Sequence, residues 1–372
     1  MIKSIKILLY SFLQIIPYAK GNKKLYFHGS EKSFAKKIIE LLLWIVRDKQ
    51  FNYNYYAFGL NLKNKKLNSY IGRTEFLKLK NQTEQLLRKK KGAENLSYDV
   101  ITKDKFVSYA YFSANSIPCV PVMGLVSKDQ IIFTNGKTGQ IKELFEIKYE
   151  FVLKNIVLEA GDGFILCKPF NNEKLIINQQ ETSLQQLRTT IGNDQWVLQQ
   201  KVQSHGTICK INNTALNTTR IVTILNGKEA IFIGGFQSFA TGGETIDSWS
   251  KGSIYVGFDP NKSVLIGPGY YHPEIDDKSL AVQHPDTGIS FDDFQIPFLK
   301  ESVELCLRAH CLLYNHFVIG WDVVITDAGP LILEANEKPG MNAVQCVEGG
   351  LRHKIKTSFV NTIKYGKNQL WT

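Results

Sequence analysis

Hydrophobic residues change their spacing along the chain. Residues 31–48, "EKSFAKKIIELLLWIVRD", carry apolar residues at helical spacing, which predicts an amphipathic helix whose apolar half, Ile38 to Val46, is buried. Residues 49–100 are polar, basic and aromatic without a clear period. From residue 102 onward, short apolar runs typical of strands mix with helical patterns, and strands and helices do not alternate regularly. This mixture predicts an α+β fold with antiparallel sheets.

Caps and periodicity place the elements after residue 100. Thr102 is a candidate cap for a helix through "DKFVSYAYFSAN", and Ser183 is one for a helix through "LQQLRTTI". Further helices are predicted through "QIKELFEIKYEFVLKN" and over residues 299–315. The predicted strands are "VPVMGLV", "QIIFTN", "DGFILCKPF", "QWVLQQKV", "RIVTIL", "EAIFIGGFQS" and "GSIYVGF". A hairpin over residues 320–336 and a short helical tail complete the chain.

The hairpin in "GWDVVITDAGPLILEANEKPGMN" places polar residues among aliphatic ones. A three-residue loop, Asp327-Ala328-Gly329, would pair Thr326 with Pro330 and set Asp322 opposite Glu334. One face then carries Asp322, Glu334 and Asn336, and the other carries Trp321, Val323, Ile325, Leu331, Leu333 and Ala335. Opposed carboxylates repel each other, and a hard cation such as Mg²⁺ would relieve the repulsion. The alternative is a hairpin whose polar face meets solvent.

The positive charge is concentrated in the first hundred of the 372 residues, which hold 20 Lys and Arg against 7 Asp and Glu. An anionic membrane, an acidic glycan or a nucleic acid would be attracted to such a segment, and a solvated surface is the alternative. The basic clusters lack regularly interleaved aromatic residues, which argues against nucleic acid.

The first twenty residues, "MIKSIKILLYSFLQIIPYAK", have an apolar run too short to span a bilayer. The segment is expected either to lie on a membrane surface, with Lys3, Lys6 and Lys20 towards the head groups, or to pack on the body of the protein. The six cysteines form no CxxC pair. Reduced thiols and a cytoplasmic location, with contact at the inner face of the membrane as an option, are expected.

An ordered set of motifs resembles a known family. The hairpin, with Asp322, "Glu334-Ala335-Asn336" and the following Pro339-Gly340, is similar to the metal-binding hairpin of the ATP-grasp superfamily. More closely, the chain resembles the sugar-transfer-associated ATP-grasp family, and the matching pieces run in family order from about residue 100 to 345. They are "DKFVSYAYF", "ILCKPF", "LNTTRIVTI", "HPDTG", "IGWDVVIT" and "GPLILEANEKPG".

The resemblance implies two lobes with antiparallel sheets that clamp ATP. It implies an N-terminal lobe over residues 101–198 and a C-terminal lobe with the metal hairpin over 199–350. A basic, mainly helical region over 1–100 precedes them and a tail over 351–372 follows. It also implies ATP with one or two Mg²⁺, for which Mn²⁺ could substitute, bound by Asp322, Glu334 and Asn336.

Further roles follow from the same resemblance. Lys105 and Lys168 are expected on the phosphates, and Arg220 is expected, with Lys168, to stabilise the reacting phosphate. The alternatives are a lysine at a strand end with its ammonium in solvent and a salt bridge from Arg220 to a carboxylate of the sheet. The expected nucleotide contacts are Gln199, Gln200, Lys201 and Val202 on adenine, His205 on ribose and Leu333 on the base.

The acceptor side is expected to contain Asn217, Asp247, His284 and Asp286, although turn chemistry alone explains Pro285-Asp286 and Thr287-Gly288. One departure from the family pattern is that no glycine follows Lys168 before Gly192. A glycine-rich loop over the phosphates is therefore not expected after that lysine, which puts normal turnover in doubt.

Three functions are compatible with these patterns. The first is a carboxylate–amine ligase that joins an amino acid or other amine to a carboxylated sugar, such as a uronic acid, in surface polysaccharide synthesis. The second is a sugar kinase on the same fold, with Asp247 or His284 as base. The third is a nucleotide-binding scaffold in a glycan-assembly complex. The sugar and the amine rest on family analogy.

Overall fold

The N-terminal region is built from three helices. The computed structural model describes residues 2–21, 26–90, 98–158, 163–171, 173–177, 179–274 and 279–368. The helices are α1 (Ile2–Ala19), α2 (Phe34–Asp48) and α3 (Arg73–Lys90). Ser33 caps α2 by accepting a hydrogen bond from the backbone N–H of Lys36. None of the helices among these residues is long and apolar enough to cross a bilayer.

The apolar half of α2 is only partly buried, contrary to the prediction. Leu41, Trp44 and Ile45 pack in a core with Ile15 and Ala19 of α1 and with aromatic residues from the segment between α2 and α3. Ile39, Leu43 and Val46 remain exposed. The helix has apolar residues around most of its surface, so packing against a single body cannot cover them all.

Hydrogen bonds and ion pairs attach the N-terminal region to the rest of the chain. The side-chain amide of Gln345 accepts a hydrogen bond from Ile71 N and donates one to Ile71 O. Lys80 forms an ion pair with Glu337, which directly follows the predicted hairpin over residues 320–336. The region is therefore packed against the part of the chain that follows residue 100.

Two short helices, α4 (Val100–Lys103) and α5 (Lys105–Ala114), lead into an eight-stranded antiparallel sheet. Asp104, and not Thr102, caps α5, because its carboxylate accepts hydrogen bonds from Phe106 N and Val107 N. The strands are β1 (Val122–Ser127), β2 (Gln130–Phe133), β3 (Thr138–Gln140), β4 (Phe151–Asn155), β5 (Phe164–Asn171), β6 (Lys174–Ile177), β7 (Gln180–Ser183) and β8 (Gln195–Gln200), in the spatial order β3-β2-β1-β8-β4-β5-β6-β7. Ser183 caps α6 (Leu184–Ile191) through a capping box, as predicted.

The predicted helix through "QIKELFEIKYEFVLKN" is wrong. Residues Ile141–Glu146 form a short 3₁₀ helix, and β4 takes the second half of the segment. Phe151 and Leu153 are fully buried in the core of this sheet, and β4 lies between β5 and β8. A short apolar run cannot be assigned to helix or strand from periodicity alone.

A second sheet has seven antiparallel strands. They are β9 (Thr219–Asn226), β10 (Glu229–Phe239), β11 (Ile254–Asp259), β12 (Val264–Tyr270), β13 (Leu280–Ala281), β14 (Val318–Thr326) and β15 (Gly329–Asn336), in the order β13-β12-β11-β10-β9-β14-β15. The helices of this part are α7 (Gly206–Ile211), α8 (Leu299–Leu312), α9 (Met341–Glu348) and α10 (Arg352–Asn368). The two antiparallel sheets confirm the predicted α+β class.

The hairpin of β14 and β15 has the predicted pairing of Asp322 with Glu334 but a different turn. Thr326 pairs with Gly329, so the loop is the two residues Asp327 and Ala328. The register then shifts by one between Val323 and Asp322, which leaves Leu333 as the unpaired residue of a β-bulge. As a result Ile332 replaces Leu331 and Leu333 on the buried face.

Candidate functional site

Two of the cavities in the cleft between the two sheets share lining residues. The outer one, with about 870 Å³ of open space, lies along the segment that joins β8 to the second sheet. The inner one, with about 1160 Å³, is lined by residues of both sheets. Lys154, Phe164 and Leu333 line both cavities, so a ligand the length of a nucleotide could extend from one to the other.

The outer cavity has apolar walls and an exposed backbone segment. Val152 and Leu166 line it from the first sheet and Leu333 lines it from the second, where the bulge turns that side chain into the cleft. The predicted adenine segment, Gln199 to Val202, also lines it. An apolar slot beside backbone hydrogen-bonding groups is suited to a flat heterocyclic base.

The structure does not bring His205 to this cavity. Its ring accepts a hydrogen bond from Thr207 N through Nδ1 and so caps α7, and its Nε2 lies 3.5 Å from Asp327. A histidine that begins a helix satisfies an otherwise unpaired backbone N–H. The predicted ribose contact is therefore not supported by its position.

Three adjacent strands position the charged groups of the inner cavity. Arg220 on β9 pairs in register with Asp322 on β14, and Asp322 pairs with Glu334 on β15. Residues opposite each other on neighbouring strands share a face. The three side chains therefore lie in a row, and all three line the inner cavity.

The row is held by short hydrogen bonds. Arg220 donates from Nε to Asp322 Oδ1 at 2.6 Å and from Nη2 to Oδ2 at 3.1 Å, and Asn336 Nδ2 donates to Oδ2 at 3.0 Å. Burial opposes the charge of Arg220, but Asp322 outweighs it and raises the pKa of the guanidinium above its ordinary value. The alternative considered for Arg220, a salt bridge to a carboxylate of the sheet, is thus what the structure contains.

The donor set suits a hard divalent cation. Two carboxylates from paired strands and one amide face the cavity, and the amide oxygen of Asn336 stays available because its nitrogen is the donor to Asp322. Oxygen ligands of this kind fit Mg²⁺ when water and phosphate complete the shell. Among the described residues no group of three His, Cys, Asp or Glu is placed to hold a metal ion, and Asn336 adds a third oxygen donor to the two carboxylates.

Two lysines, Lys105 and Lys154, line the inner cavity opposite these carboxylates. Of the two, only Lys105 was predicted. Lys105, the first residue of α5, lies 3.8 Å from Glu334 Oε1 and donates to Leu158 O at 2.6 Å. Lys154 of β4 is the second. Burial lowers the pKa of Lys154, and the nearby Glu334 acts in the opposite direction.

Lys168, the predicted second lysine, lies elsewhere. Its side chain is 51% exposed and its ammonium is 3.5 Å from Glu150, which also bonds Lys201. Phe164 pairs with Lys154 on β4, and Lys168 lies four residues farther along β5, roughly 13 Å at the rise of a strand. Lys168 is absent from the lining of both described cavities of the cleft.

With Lys154 in place of Lys168 as the second lysine, the chain no longer departs from the family pattern of a lysine followed by a glycine-containing loop. After Lys154 the sequence continues "NIVLEAGDG", so Gly161 and Gly163 follow within nine residues. Residues 159–162 lie outside the described part of the chain. An apolar strand ending in "VLKN" before a segment containing glycine was the signal that could have identified Lys154.

Of the predicted acceptor residues, only Asp247 lines the cleft. Its Oδ2 accepts hydrogen bonds from Thr218 N at 2.7 Å and from Thr218 Oγ1 at 2.6 Å. Burial raises the pKa of this carboxyl to about 7, although the hydrogen bonds from Thr218 lower it. Asp247 therefore changes protonation state near neutral pH.

Asn217, His284 and Asp286 have structural positions. Asn217 is fully buried and donates from Nδ2 to Asn212 O. The ring of His284 is buried against Ala240 O at 2.8 Å, and Asp286 accepts a hydrogen bond from Gly242 N. The three predictions for these residues are not supported, because polar groups that fix turns and loops resemble ligand-binding groups in sequence.

A third cavity, with about 850 Å³ of open space, lies near the inner one, since Trp249 in its wall follows Ser248 in the wall of the inner cavity. Arg73 and Phe76 of α3, Trp249 and Lys338 line it. Trp249 stacks on Tyr255, a residue of the inner cavity, with ring centroids 4.9 Å apart. No periodic pattern in the sequence predicts this cavity, because its wall combines α3 with residues more than 150 positions later.

Comparison with known proteins identifies the family. The model of the sugar-transfer associated ATP-grasp family matches residues 90–358. A search of curated proteins by sequence finds no match.

Similar solved structures include three of low sequence identity. The D-alanine–D-alanine ligase of Bacillus anthracis is 14% identical, with 72% of this chain and 69% of that chain covered and a TM-score of 0.38. The D-alanyl-alanine synthetase A of Vibrio cholerae O1 biovar eltor is 11% identical, with 73% and 66% covered and a TM-score of 0.39. The N5-carboxyaminoimidazole ribonucleotide synthetase of Thermotoga maritima is 13% identical, with 72% and 49% covered and a TM-score of 0.36. Because the family model matches well over half of the chain, the chain belongs to the sugar-transfer associated ATP-grasp family.

Proposed function

We propose that the chain is an ATP-dependent carboxylate–amine ligase that works through an acyl phosphate on a carboxylated sugar. One observation carries this proposal. Lys105 and Lys154 on one side of the inner cavity face Arg220, Asp322 and Glu334 on the other side. Lysines and an arginine facing carboxylates across a cavity can hold a triphosphate together with a cation.

In the proposed reaction, a carboxylate oxygen of the sugar attacks the γ-phosphorus of ATP. The bond to the β-phosphate oxygen breaks, and ADP leaves. The amine nitrogen then attacks the acyl carbon, the bond to the phosphate oxygen breaks, and inorganic phosphate carries the electron pair away. The amine gives up a proton, and Asp247 in the inner cavity is a suitable acceptor because its pKa is about 7.

Each group of the cleft has a defined task in this scheme. Lys105 and Lys154 hold the phosphates, and Arg220 contacts the oxygens of the transferred phosphoryl group. Asp322, Glu334 and Asn336 would hold one or two Mg²⁺, or Mn²⁺, which supply Lewis-acid charge to the phosphates. The segment from Gln199 to Val202, with Leu333, binds adenine.

The third cavity supports an anionic ring as the acid substrate. Arg73 and Lys338 add positive charge, and the guanidinium of Arg73 forms no ion pair with any residue that the structure describes. Trp249 and Phe76 provide an aromatic wall that suits the apolar face of a sugar ring. We infer that a uronic acid, free or carried on a nucleotide or lipid, extends from this cavity towards Arg220.

The cytoplasm is the proposed location of the reaction, in keeping with a family associated with sugar transfer. ATP is supplied there, and all six cysteines are free. A role in surface polysaccharide synthesis, such as capsule assembly, completes the proposal and rests on the family description.

A hydroxamate assay tests the proposal. The full chain is incubated with Mg-ATP, hydroxylamine and a panel of uronic acids and their nucleotide forms, and ADP and hydroxamate are measured together. Hydroxamate that depends on one acid is the expected result, because hydroxylamine traps an acyl phosphate. Glu334→Gln should abolish it, whereas Glu229→Gln, at the exposed first position of β10, should leave it unchanged.

A sugar kinase is the second candidate, and Asp247 is the observation that favours it, since a carboxylate of this pKa could take a proton from a hydroxyl. ADP together with a stable phosphorylated sugar, and no hydroxamate, would establish the kinase and contradict the ligase. Nucleotide binding without ADP release for every acid would instead favour a nucleotide-binding scaffold.

A further inference from the structure

The first two helices expose large apolar side chains on one side each. On α1 the residues are Phe12, Leu13 and Ile16, and on α2 they are Ile39, Leu43 and Val46. Leu13 is 75% exposed and Val46 is 62% exposed. At 100° of turn per residue, the three residues of α2 lie within about 60° of arc. We call these six residues the two-helix surface.

The two helices form one layer. They contact each other, and their opposite sides share one core, in which Ile15 and Ala19 of α1 pack with Leu41, Trp44 and Ile45 of α2. Eight of the 19 exposed large hydrophobic residues found among the described residues lie on these two helices. Exposed apolar residues scattered singly are normal, whereas a cluster marks an interaction site.

The two helices that form the two-helix surface carry exposed positive charge and no exposed negative charge. Residues 2–20 contain no Asp or Glu. The two acids of α2 are buried, Glu40 against Lys32 at 2.9 Å and Asp48 against the backbone N–H of Thr74 at 2.6 Å. Lys20, Lys36 and Lys49 are exposed at the helix ends, while the side chains of Lys3 and Lys6 lie outside the described part.

We propose that the two-helix surface binds the surface of an anionic lipid bilayer. The six apolar residues enter the boundary between head groups and acyl chains, and Lys20, Lys36 and Lys49 contact lipid phosphates. A second copy of the chain is a poor occupant, because an isologous interface would bring the same lysines together. The proposal is independent of the reaction in the cleft.

Vesicle sedimentation with the full chain tests the proposal. Binding is expected to vesicles of phosphatidylglycerol mixed with phosphatidylcholine, to be weaker to phosphatidylcholine alone, and to decrease with salt. Leu13→Glu, Leu43→Glu and Val46→Glu should each lower the vesicle affinity about tenfold or more, since each replaces a buried apolar contact by a charge. An unchanged thermal midpoint would show that each variant folds.

Val360→Glu is the matched control, because Val360 is an exposed valine on α10, away from the two helices. It should bind vesicles as the original chain does. Absence of vesicle binding by the original chain would overturn the proposal, as would an equal loss in Val360→Glu. A dimer detected by light scattering that Leu43→Glu dissociates, with no vesicle binding, would show instead that the surface joins two copies.

Discussion

The two sides of the cleft are organised in different ways. On the side of the second sheet, Asp322 receives three hydrogen bonds of 2.6 to 3.1 Å from Arg220 and Asn336. On the side of the first sheet, the ammonium of Lys154 has no hydrogen-bond partner among the described residues. One side is already paired in the absence of ligand, whereas Lys154 on the other side presents a partly buried ammonium without a direct partner.

This difference indicates how each side responds to ligand. Burial works against the charge of Lys154 and lowers its pKa, so an anion that entered the cleft would gain a strong partner there. Asp322 is already neutralised by Arg220, so a cation must compete with that pair. Nucleotide binding should therefore depend mainly on the lysine side, and stability without ligand should depend mainly on the arginine–carboxylate side.

The largest expected effect is on turnover. Lys154→Met should lower ATP-dependent turnover about 100-fold or more, because it removes the charge that we propose to contact the phosphates. A loss of this size is typical when one such electrostatic group is removed. Lys168→Met is the control, and it should change turnover by less than about threefold, because Lys168 lies at the solvent-exposed end of β5 and pairs with Glu150. ADP release measured for both variants decides between the two lysines. The reverse order of effects would return the phosphate role to Lys168.

A smaller effect is expected on stability. Arg220→Gln should destabilise the protein by about 2 to 4 kcal/mol, because it leaves Asp322 unpaired beside Glu334. Mg²⁺ should restore part of this loss and stabilise the variant more than the original chain, since the cation no longer competes with the guanidinium. Denaturant midpoints with and without Mg²⁺ measure both quantities.

Arg188→Gln provides the comparison for that measurement. Arg188 pairs with Asp129 at 2.7 Å, but the two side chains are 41% and 52% exposed, so the loss should stay below about 1 kcal/mol. Equal losses of unfolding free energy in Arg220→Gln and Arg188→Gln would contradict the view that the Arg220–Asp322 pair stabilises the second-sheet side of the cleft.

The smallest expected effect is a pH dependence at Asp247. Its pKa of about 7 lies above that of an unfolded carboxyl, so between about pH 4 and pH 7 the folded chain holds a proton that the unfolded chain has lost. The contribution of this group to stability therefore falls as pH rises through that interval.

Asp247→Asn can still accept hydrogen bonds from Thr218 and has no proton to lose. Relative to the original chain, the thermal midpoint of the variant should rise by a few degrees between about pH 4 and pH 7 and then level off. If Asp247 takes a proton in the reaction, turnover of the original chain should rise through pH 7 and the variant should lack this rise. Parallel stability curves for the two proteins would contradict the raised pKa.

Much of the fold was predictable because local signals agreed with the tertiary structure. The capping box at Ser183 and the apolar runs of β8, β9 and β10 each specify one element, and the structure contains them. The error at residues 140–155 arose because the sequence contains no clear turn signal between the 3₁₀ helix and β4. The partial exposure of α2 could not be predicted, because periodicity shows which side is apolar and not what covers it.

The carboxylate pair of the candidate site was predictable because strand pairing fixes the position of one residue relative to the other. Asp322 and Glu334 lie on paired strands, so the register that buries Trp321 also sets the carboxylates opposite each other. A lysine at the end of a strand has no such constraint, and Lys154 and Lys168 both follow apolar runs. The distinction between them depends on the sheet order, which brings β4 and not the far end of β5 to the inner cavity.

The bulge at Leu333 shows that this hairpin can place its extra residue at more than one position. A three-residue turn without a bulge and the observed two-residue turn with a bulge give the same pairing of Asp322 with Glu334. Only the second puts neighbours in the chain, Leu333 and Glu334, on the same side of the sheet, where both line the inner cavity. Moving one residue from the bulge to the turn would preserve the pairing of the proposed metal ligands and remove the side chain proposed to lie beside the base. The two proposed ligand-binding functions of this strand can therefore be separated by shifting a single residue.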